Sequence, residues 1–331
     1  MSNSLVSFKQ LRIDVKVTRS RRLRIVDSAT FDVEHGQLMG LIGESGSGKT
    51  MLCRSLIGTL GRRSAYIESG SVIFDGTNLV NATKSDWREI RGKKIGYIPQ
   101  SALAGPNPVI TIGDQLAEAI NQGQKLDRET VHKRSIELLE MVQIRRPEIV
   151  LKQYSYQLSG GMKQRVMIAC AIAQNPKLIV ADEPTTGLDV TVQAEIMVLL
   201  KEIRKNLNTS IILVSHDLQL INSICDDVVV MHAGATVEKL PSEEIINALH
   251  PYTHALYNSR IDLVEPRGKL VTIKGQPPTV GAWPTGCRFA DRCDFVQDKC
   301  LFGTQMELLK ADTNHETACI RYDEVFLGAK K

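Results

Sequence analysis

"QLMGLIGESGSGKT", residues 37–50, joins a short apolar run to a glycine-rich loop that ends in lysine and threonine. Its last eight residues fit the pattern G-x-x-x-x-G-K-S/T. Glycines let a backbone wrap closely around phosphates, with its N–H groups pointing inward at the start of a helix. A plain glycine-rich turn is the alternative for this pattern taken alone. We predict a phosphate-binding loop made of Gly43, Glu44, Ser45, Gly46, Ser47, Gly48, Lys49 and Thr50, with Lys49 on the β- and γ-phosphates and the Thr50 hydroxyl on Mg²⁺.

A second apolar run, "LIVADEP" (residues 178–184), ends in two acidic residues. We expect Asp182 to hold Mg²⁺ through water and Glu183 to polarise an attacking water molecule. Two acids at a strand end are often no more than surface residues. That alternative does not explain why they lie downstream of a phosphate-binding loop, at the carboxyl end of a strand, where α/β proteins bind ligands.

Strand-like and helical segments alternate up to about residue 250. This pattern predicts an α/β fold with a parallel core covered by helices, against which the opening stretch and "GSVIFDG" (70–76) form antiparallel strands. Beyond residue 250 the chain becomes rich in proline and glycine. We therefore predict two domains, residues 1–250 and 251–331. The predicted strands are 37–43, 71–74, 94–98, 177–182, 210–215 and 227–232, and the clearest helices are 128–142 and 191–207.

The composition argues against several classes of protein. The 331 residues carry a net charge of +4, from 41 basic and 37 acidic side chains, which is too balanced for nucleic acid to be the main partner. The apolar runs fall far short of the roughly 18 residues that span a bilayer, and no signal peptide is visible. We expect a cytosolic or membrane-peripheral protein whose seven cysteines are free thiols, metal ligands or redox groups rather than disulfides.

A third motif, "LSGGMKQR" (158–165), places Ser159, Gly160 and Gly161 at the start of a predicted helix, where they suit a γ-phosphate. With the phosphate-binding loop and the acidic pair, it resembles the ATP-binding-cassette ATPases. The resemblance implies a P-loop NTPase cassette: a RecA-like parallel core, an antiparallel β subdomain and a helical subdomain that carries this signature. In that family the signature completes the partner subunit's site, and two cassettes sandwich two ATP molecules head to tail.

Three further stretches match the family in order: "YIPQ", "TTGLD" and "LVSHD". The resemblance implies that Gln100 senses Mg²⁺, water and the membrane partner, and that the segment ending in Asp189 crosses to the opposite site. It also implies that His216 contacts the γ-phosphate and orients Glu183. The expected catalytic residues are therefore Glu183, His216 and Gln100, and the expected Mg²⁺ residues are Thr50, Gln100 and Asp182.

The family's usual adenine-stacking aromatic is missing before the loop, where the sequence reads "TRSRRLRIV" (18–26). Arg21 or Arg22 could stack its guanidinium on the base. We leave the adenine contact unassigned.

The tail gives a more specific resemblance. "HPYTHAL" (250–256), "GCRFADRC" (286–293) and "HETACI" (315–320) resemble the C-terminal extension of the oligopeptide/dipeptide importer ATPases. This resemblance implies an ATPase at the cytoplasmic face of the plasma membrane that powers uptake of peptides or related solutes. It also implies a related second ATPase as head-to-tail partner, two permease subunits, a solute-binding protein as an indirect partner, and no nucleic acid.

A soluble cassette ATPase acting in translation or DNA maintenance is the alternative. Such proteins usually carry two fused cassettes or a long coiled coil. This chain has one cassette motif set and no heptad run. The docking surface for permeases would lie near Gln100, in residues 101–110.

Four cysteines cluster in the tail with the spacing C-x5-C-x6-C-x18-C. Some members of the resembled subfamily carry a 4Fe–4S cluster in this region, and four thiolates suit either such a cluster or tetrahedral zinc. The lack of a C-x-x-C pair favours the cluster over zinc, for which His315 could substitute as a ligand. Reduced thiols packed in a small domain are the third possibility. The expected ligands are Cys287, Cys293, Cys300 and Cys319.

Overall fold

The computed structural model describes residues 4–18, 21–61, 64–100, 105–123, 125–260, 272–302 and 307–327. These fall into two compact units. The first unit comprises Met1–Glu34, Met39–Asn81 and His216–Lys331, and the second comprises His35–Leu38 and Ala82–Ser215.

Strands of the described residues are, in chain order, β1 (Ser4–Lys16), β2 (Arg22–Glu34), β3 (Leu38–Ile42), β4 (Ala65–Phe74), β5 (Thr77–Asn78), β6 (Ile95–Ile98), β7 (Leu178–Asp182), β8 (Ser210–Val214), β9 (Asp227–His232), β10 (Ala235–Pro241), β11 (Leu309–Lys310) and β12 (Glu316–Thr317). The α-helices are α1 (Lys49–Leu56), α2 (Lys84–Ile90), α3 (Ile112–Ile120), α4 (Arg128–Met141), α5 (Pro147–Leu151), α6 (Gly160–Ile172), α7 (Val190–Leu207), α8 (Leu218–Ile224), α9 (Pro251–Asn258) and α10 (Asp298–Leu301).

The first unit is built on strands hydrogen-bonded in the order β5-β4-β1-β2-β10-β9-β3. β1 pairs antiparallel with β2 and β4, which confirms the predicted antiparallel strands. β3 pairs parallel with β9, and all five residues of β3 are buried. A short, fully apolar run of this kind is typical of a parallel strand that is covered on both faces.

The second unit has the parallel strand order β8-β7-β6. Every residue of β7 and of β8 is buried. The helices of this unit are α2 to α7. Side-chain oxygens begin several of these helices: Thr111 caps α3 and Asp127 caps α4, each accepting a backbone N–H three residues on. The parallel core and the helical part agree with the predicted fold class.

Most predicted elements match closely. The strand at 227–232 and the helix at 128–142 agree with β9 and α4 to within one residue. The run at 71–74 is the end of a longer strand, β4. In the part of the chain that the structure describes, none of the helices has the length and hydrophobicity of a membrane span.

The chain beyond residue 250 is part of the first unit. α9 begins at Pro251, with the His250 ring accepting the Tyr252 N–H at 3.1 Å. β12 pairs antiparallel with β10, so that Glu238 lies opposite Thr317. The division into residues 1–250 and 251–331 remains a prediction. Hereafter we call residues 251–331 the C-terminal extension.

Candidate functional site

The phosphate-binding loop lies in the first unit, between β3 and α1. A Cβ at Gly43 would lie 2.1 Å from the Met231 carbonyl oxygen, and Gly48 has a left-handed φ of 105°. Only glycine fits the first position without moving β9, and glycine favours the backbone at the second. Lys49 is buried, and its Nζ donates to the carbonyl oxygens of Gly43 at 2.8 Å and Glu44 at 3.0 Å. The lysine therefore stabilises the curve of its own loop.

The other loop residues differ in exposure. Ser47 is buried, Glu44 and Thr50 are half-buried, and Ser45 and Gly46 are exposed. The Glu44 N–H donates to the Tyr252 hydroxyl at 2.8 Å, and the Glu44 carboxylate accepts from Arg292. Neither partner is part of a nucleotide motif.

The acidic pair lies in the second unit, at the carboxyl end of β7. Asp182 is buried and accepts from the Tyr97 hydroxyl at 3.4 Å. Glu183 is half-buried, and its Oε2 accepts from Gln100 Nε2 at 2.8 Å and from the Thr186 hydroxyl at 3.1 Å. The fold therefore brings together Gln100 and Glu183, which are 83 residues apart.

Glu183 has a left-handed backbone, with φ of 50°. This conformation costs a non-glycine residue on the order of 1 kcal/mol or more. The Glu183 N–H donates to the Val214 carbonyl at 3.1 Å, which holds the turn against β8. Strain of this kind at a charged residue is common in functional sites.

The signature segment also lies in the second unit. Ser159 caps α6 by accepting the Met162 N–H at 3.3 Å, and Ser159 and Gly160 are exposed. A Cβ on Gly161 would lie 2.9 Å from the Val192 side chain. The signature glycine therefore packs against the first turn of α7, which Asp189 caps by accepting the Val192 N–H at 3.0 Å. His216 belongs to the first unit and is exposed, directly before the Asp217 cap of α8.

Residues 26–186 match the family model described as ABC transporter, and residues 237–300 match the one described as oligopeptide/dipeptide transporter, C-terminal region. The chain is 40% identical over 300 residues to the oligopeptide transport ATP-binding protein AppD of Bacillus subtilis, covering 90% of this chain and 91% of that protein. The chain belongs to the ABC transporter ATP-binding family.

The chain is also similar to a second oligopeptide transport protein and to a solved ATP-binding cassette. The oligopeptide transport ATP-binding protein OppD of Haemophilus influenzae is 39% identical, with 90% of this chain and 92% of that protein covered. Among solved structures, the ADP- and phosphate-bound dimer of the ATP-binding cassette MJ0796 has a TM-score of 0.63 and 26% identity, covering 72% of this chain and 98% of that one. The predicted ABC cassette, its ATPase class and its oligopeptide/dipeptide-type tail are confirmed.

The four tail cysteines lie together in this ABC subunit. All four line one cavity of about 860 Å³ in the first unit, and all are free thiols. Burial raises the pKa of Cys287 and of Cys319 to about 11, with neighbouring thiols adding to the shift. Within the part of the chain that the structure describes, no three His, Cys, Asp or Glu side chains form a group arranged around a metal ion.

The role of His315 as a substitute ligand stays a prediction, and His315 does not line the cavity that holds the four cysteines. Its Nε2 lies 2.8 Å from the Glu238 carboxylate, which is fully buried. A buried carboxylate needs a hydrogen-bonding partner, so the imidazole is used there.

Two other predicted features have partial answers. The Arg22 guanidinium lies 5.4 Å from the Tyr66 ring centroid, and the adenine contact remains unassigned. Residues 101–104 of the predicted docking segment lie outside the described residues.

Sequence reasoning missed the roles of Tyr252 and Arg292. Both fall in stretches that matched the family tail, but no spacing rule links them to a loop more than 200 residues away.

Proposed function

We propose that this chain hydrolyses ATP to drive uptake of peptides or related small solutes through partner permeases. The contact between Gln100 and Glu183, beside the buried Asp182, supports this proposal most directly. It joins two predicted catalytic residues from separate motifs in a chain that also carries an intact phosphate-binding loop. A carboxylate held by a hydrogen-bond donor is suited to orient a water molecule for attack on a phosphate.

The other residues have roles that follow from their chemistry. Lys49 and the loop N–H groups bind the phosphates, and His216 contacts the γ-phosphate. Mg²⁺, held by Thr50, Gln100 and Asp182, would neutralise charge on the phosphate oxygens. Glu183 accepts a proton from the attacking water. Catalysis then rests mainly on positioning and charge stabilisation.

The partner that completes the site is a second cassette, related to this one and arranged head to tail. Ser159, Gly160 and Asp189 are exposed at the starts of two helices, which suits contact with the γ-phosphate of another subunit. Two permeases would hold the pair at the cytoplasmic face of the membrane, with a solute-binding protein acting outside and no nucleic acid involved.

Peptides are the substrate class that the relatives favour. AppD and OppD are named for oligopeptide transport, and a Brucella abortus relative at 41% identity is named a putative peptide import ATP-binding protein. These names, with the match of the tail, argue against a soluble role in translation or DNA maintenance. Recovery of the protein with ribosomes or DNA, and without membrane proteins, would contradict the transport proposal.

The ATPase is tested by Glu183→Gln, which keeps the shape of the side chain and removes its basicity. We expect kcat for ATP hydrolysis to fall by about 10²-fold or more, the range typical of a lost general base, while ATP binding is retained. Glu148→Gln, an exposed change in the same unit, is the matched control and should leave kcat unchanged. Hydrolysis by Glu183→Gln at the wild-type rate would contradict the proposal.

We also propose that Cys287, Cys293, Cys300 and Cys319 bind a 4Fe–4S cluster. All four line one cavity, and burial makes an unbound thiolate there unfavourable. Metal binding would stabilise the thiolate form, and four thiolates are the usual ligand set of such a cluster. The cluster would act as a clamp on a small, loop-rich segment.

Iron, sulfide and zinc content of protein purified without oxygen tests the cluster. We expect about four irons and four sulfides per chain, lost in Cys287→Ser and kept in Cys225→Ser, which changes a buried cysteine outside the cavity. One zinc per chain, or no metal, would overturn the cluster assignment and leave the ATPase proposal unaffected.

A further inference from the structure

Two residues of the C-terminal extension form hydrogen bonds with Glu44 of the phosphate-binding loop. The Arg292 guanidinium donates to both carboxylate oxygens of Glu44, from Nη1 and Nη2, each at 2.8 Å. Tyr252 accepts the Glu44 backbone N–H at 2.8 Å. Two residues of the extension therefore hold both the side chain and the main chain of one loop residue.

Arg292 is itself firmly held. Its side chain is 4% exposed, and its Nε donates to the Lys274 carbonyl at 2.8 Å. It lies at the end of the short 3₁₀ turn Ala290–Arg292, with the guanidinium 5.5 Å from the Phe289 ring centroid. A planar guanidinium in a two-pronged contact has a defined direction as well as a charge. The pair is thus a rigid strut, unlike an exposed ion pair between flexible side chains.

The charges around Glu44 fit this role. Burial favours the neutral acid, but the hydrogen bonds and charge of Arg292 outweigh it and lower the pKa of Glu44. His232 Nδ1 lies 3.6 Å from the Glu44 carboxylate, and burial lowers the pKa of His232 to about 4. At neutral pH Glu44 is therefore ionised, and Arg292 is its charged partner in this cluster.

Glu44 also connects the Arg292 contact to Lys49, which is predicted to bind the phosphates. Its carbonyl oxygen accepts from Lys49 Nζ at 3.0 Å, so the residue held by the extension is also one that holds the lysine. A shift of Glu44 would move the Lys49 ammonium and the neighbouring loop N–H groups together. Binding of phosphates depends on the direction of those groups.

We infer that Arg292 and Tyr252 are positioning residues through which the C-terminal extension sets the affinity of the phosphate-binding loop for nucleotide. The inference rests on the proposed ATPase function. Neither side chain contacts the reacting atoms; both act through Glu44. Loss of the strut should therefore weaken ATP binding and raise KM, while kcat at saturating ATP changes little because Gln100 and Glu183 are untouched.

The test uses the full chain and ATP as the probe, with Kd, KM, kcat and Tm measured for each variant. We expect Arg292→Gln and Glu44→Gln each to raise the Kd for ATP about 10-fold, the size typical of a lost charged hydrogen bond. The double variant should be no more than about 2-fold weaker than either single variant, because both changes break one contact. Tyr252→Phe should raise the Kd by about 3-fold through loss of one neutral acceptor.

His315→Gln is the matched control. It breaks another buried contact between the extension and a carboxylate, the contact with Glu238 in β10, and leaves the contacts of Glu44 in place. We expect His315→Gln to lower Tm and to leave the Kd for ATP unchanged. If Arg292→Gln prevents folding, Tyr252→Phe and Glu44→Gln carry the test.

Two outcomes separate the proposals. Wild-type protein that neither binds nor hydrolyses ATP would refute the proposed function. Wild-type activity together with an unchanged Kd and KM in Arg292→Gln and Tyr252→Phe, whatever their Tm, would overturn only this inference. Additive losses in the double variant would also overturn it, because the two residues would then act independently.

Discussion

The phosphate-binding loop and the turn at Glu183 hold their charged groups in opposite ways. In the loop, Lys49 is buried and donates to main-chain carbonyls, and Glu44 is tied to Arg292 and Tyr252 by contacts that span more than 200 residues. At the turn, Glu183 is half-buried and its carboxylate accepts from Gln100, which is exposed. The phosphate-binding loop is held by residues outside its own motif. The turn at Glu183 is held by side chains of the predicted catalytic motifs.

This difference matches the two tasks of an ATPase. Binding of phosphates needs N–H groups that keep one direction, so rigid buried contacts favour it. Activation of water needs a carboxylate that can exchange one hydrogen-bond partner for another, and a contact reached by solvent exchanges more readily than a buried one. The comparison predicts that changes in the loop act on affinity and that changes at the turn act on rate.

The largest effect on ATP binding should come from the loop lysine. Lys49→Met keeps the length of the side chain but removes its charge, so both the phosphate contact and the bonds to Gly43 and Glu44 are lost. We expect the Kd for ATP to rise by about 100-fold, corresponding to charged hydrogen bonds of 1.5–3 kcal/mol. Equilibrium titration with ATP measures this, with the exposed Lys152→Met as control. Unchanged affinity in Lys49→Met would contradict the prediction that changes in the loop act on ATP binding.

An intermediate effect is expected at Gln100. Gln100→Ala removes the donor that orients Glu183, so kcat should fall by about 10- to 100-fold, less than for loss of a general base itself. The Kd for ATP measured without Mg²⁺ should stay within about 2-fold, because the loop is unchanged. Steady-state hydrolysis and ATP titration measure the two quantities.

The control for Gln100 is a second glutamine–glutamate pair in the same unit. Gln143 Nε2 donates to Glu202 at 3.0 Å, and Gln143 has a left-handed φ of 59° that asparagine tolerates. Gln143→Asn shortens the side chain, so the contact with Glu202 is lost without backbone strain. We expect kcat to be unchanged. If Gln100→Ala weakened ATP binding as much as it slowed hydrolysis, the division between the two regions would be wrong.

The smallest effect concerns pH and the buried imidazoles beside the strut. Burial lowers the pKa of His250 to about 3, whereas an imidazole in the unfolded chain titrates near 6.5. Below pH 6.5, His250 therefore binds a proton in the unfolded chain but stays neutral in the folded chain. The free energy of unfolding should fall as pH drops from 6.5 to 5, by up to about 1.4 kcal/mol per pH unit from this residue.

His250→Asn tests this directly. Asparagine still caps a helix but does not titrate, so the slope of stability against pH should become shallower by one proton. Denaturant unfolding at pH 7, 6 and 5 measures the slope, and the exposed His132→Asn should leave it unchanged. An unaltered slope in His250→Asn would show that this imidazole is not held neutral by the fold.

The same comparison explains what the sequence can predict. The strands and the residues near Glu183 can be predicted because short apolar runs and motifs are patterns of neighbouring residues in the sequence. Arg292 and Tyr252 were not predicted as loop contacts, because a contact across 248 or 208 residues leaves no periodic signal in one sequence. The contact of His315 with Glu238 was not predicted either, because it joins residues 77 positions apart.

The pairing of β12 with β10 has a consequence for any attempt to trim this protein. A chain cut at residue 250 would lose the strand opposite Glu238, leaving open backbone donors and acceptors along that stretch of β10. It would also leave a buried carboxylate without its imidazole. Exposed strand edges recruit other chains, so a shortened product designed as a minimal cassette should self-associate in solution. Whoever prepares this subunit for crystallisation should retain the tail through Thr317.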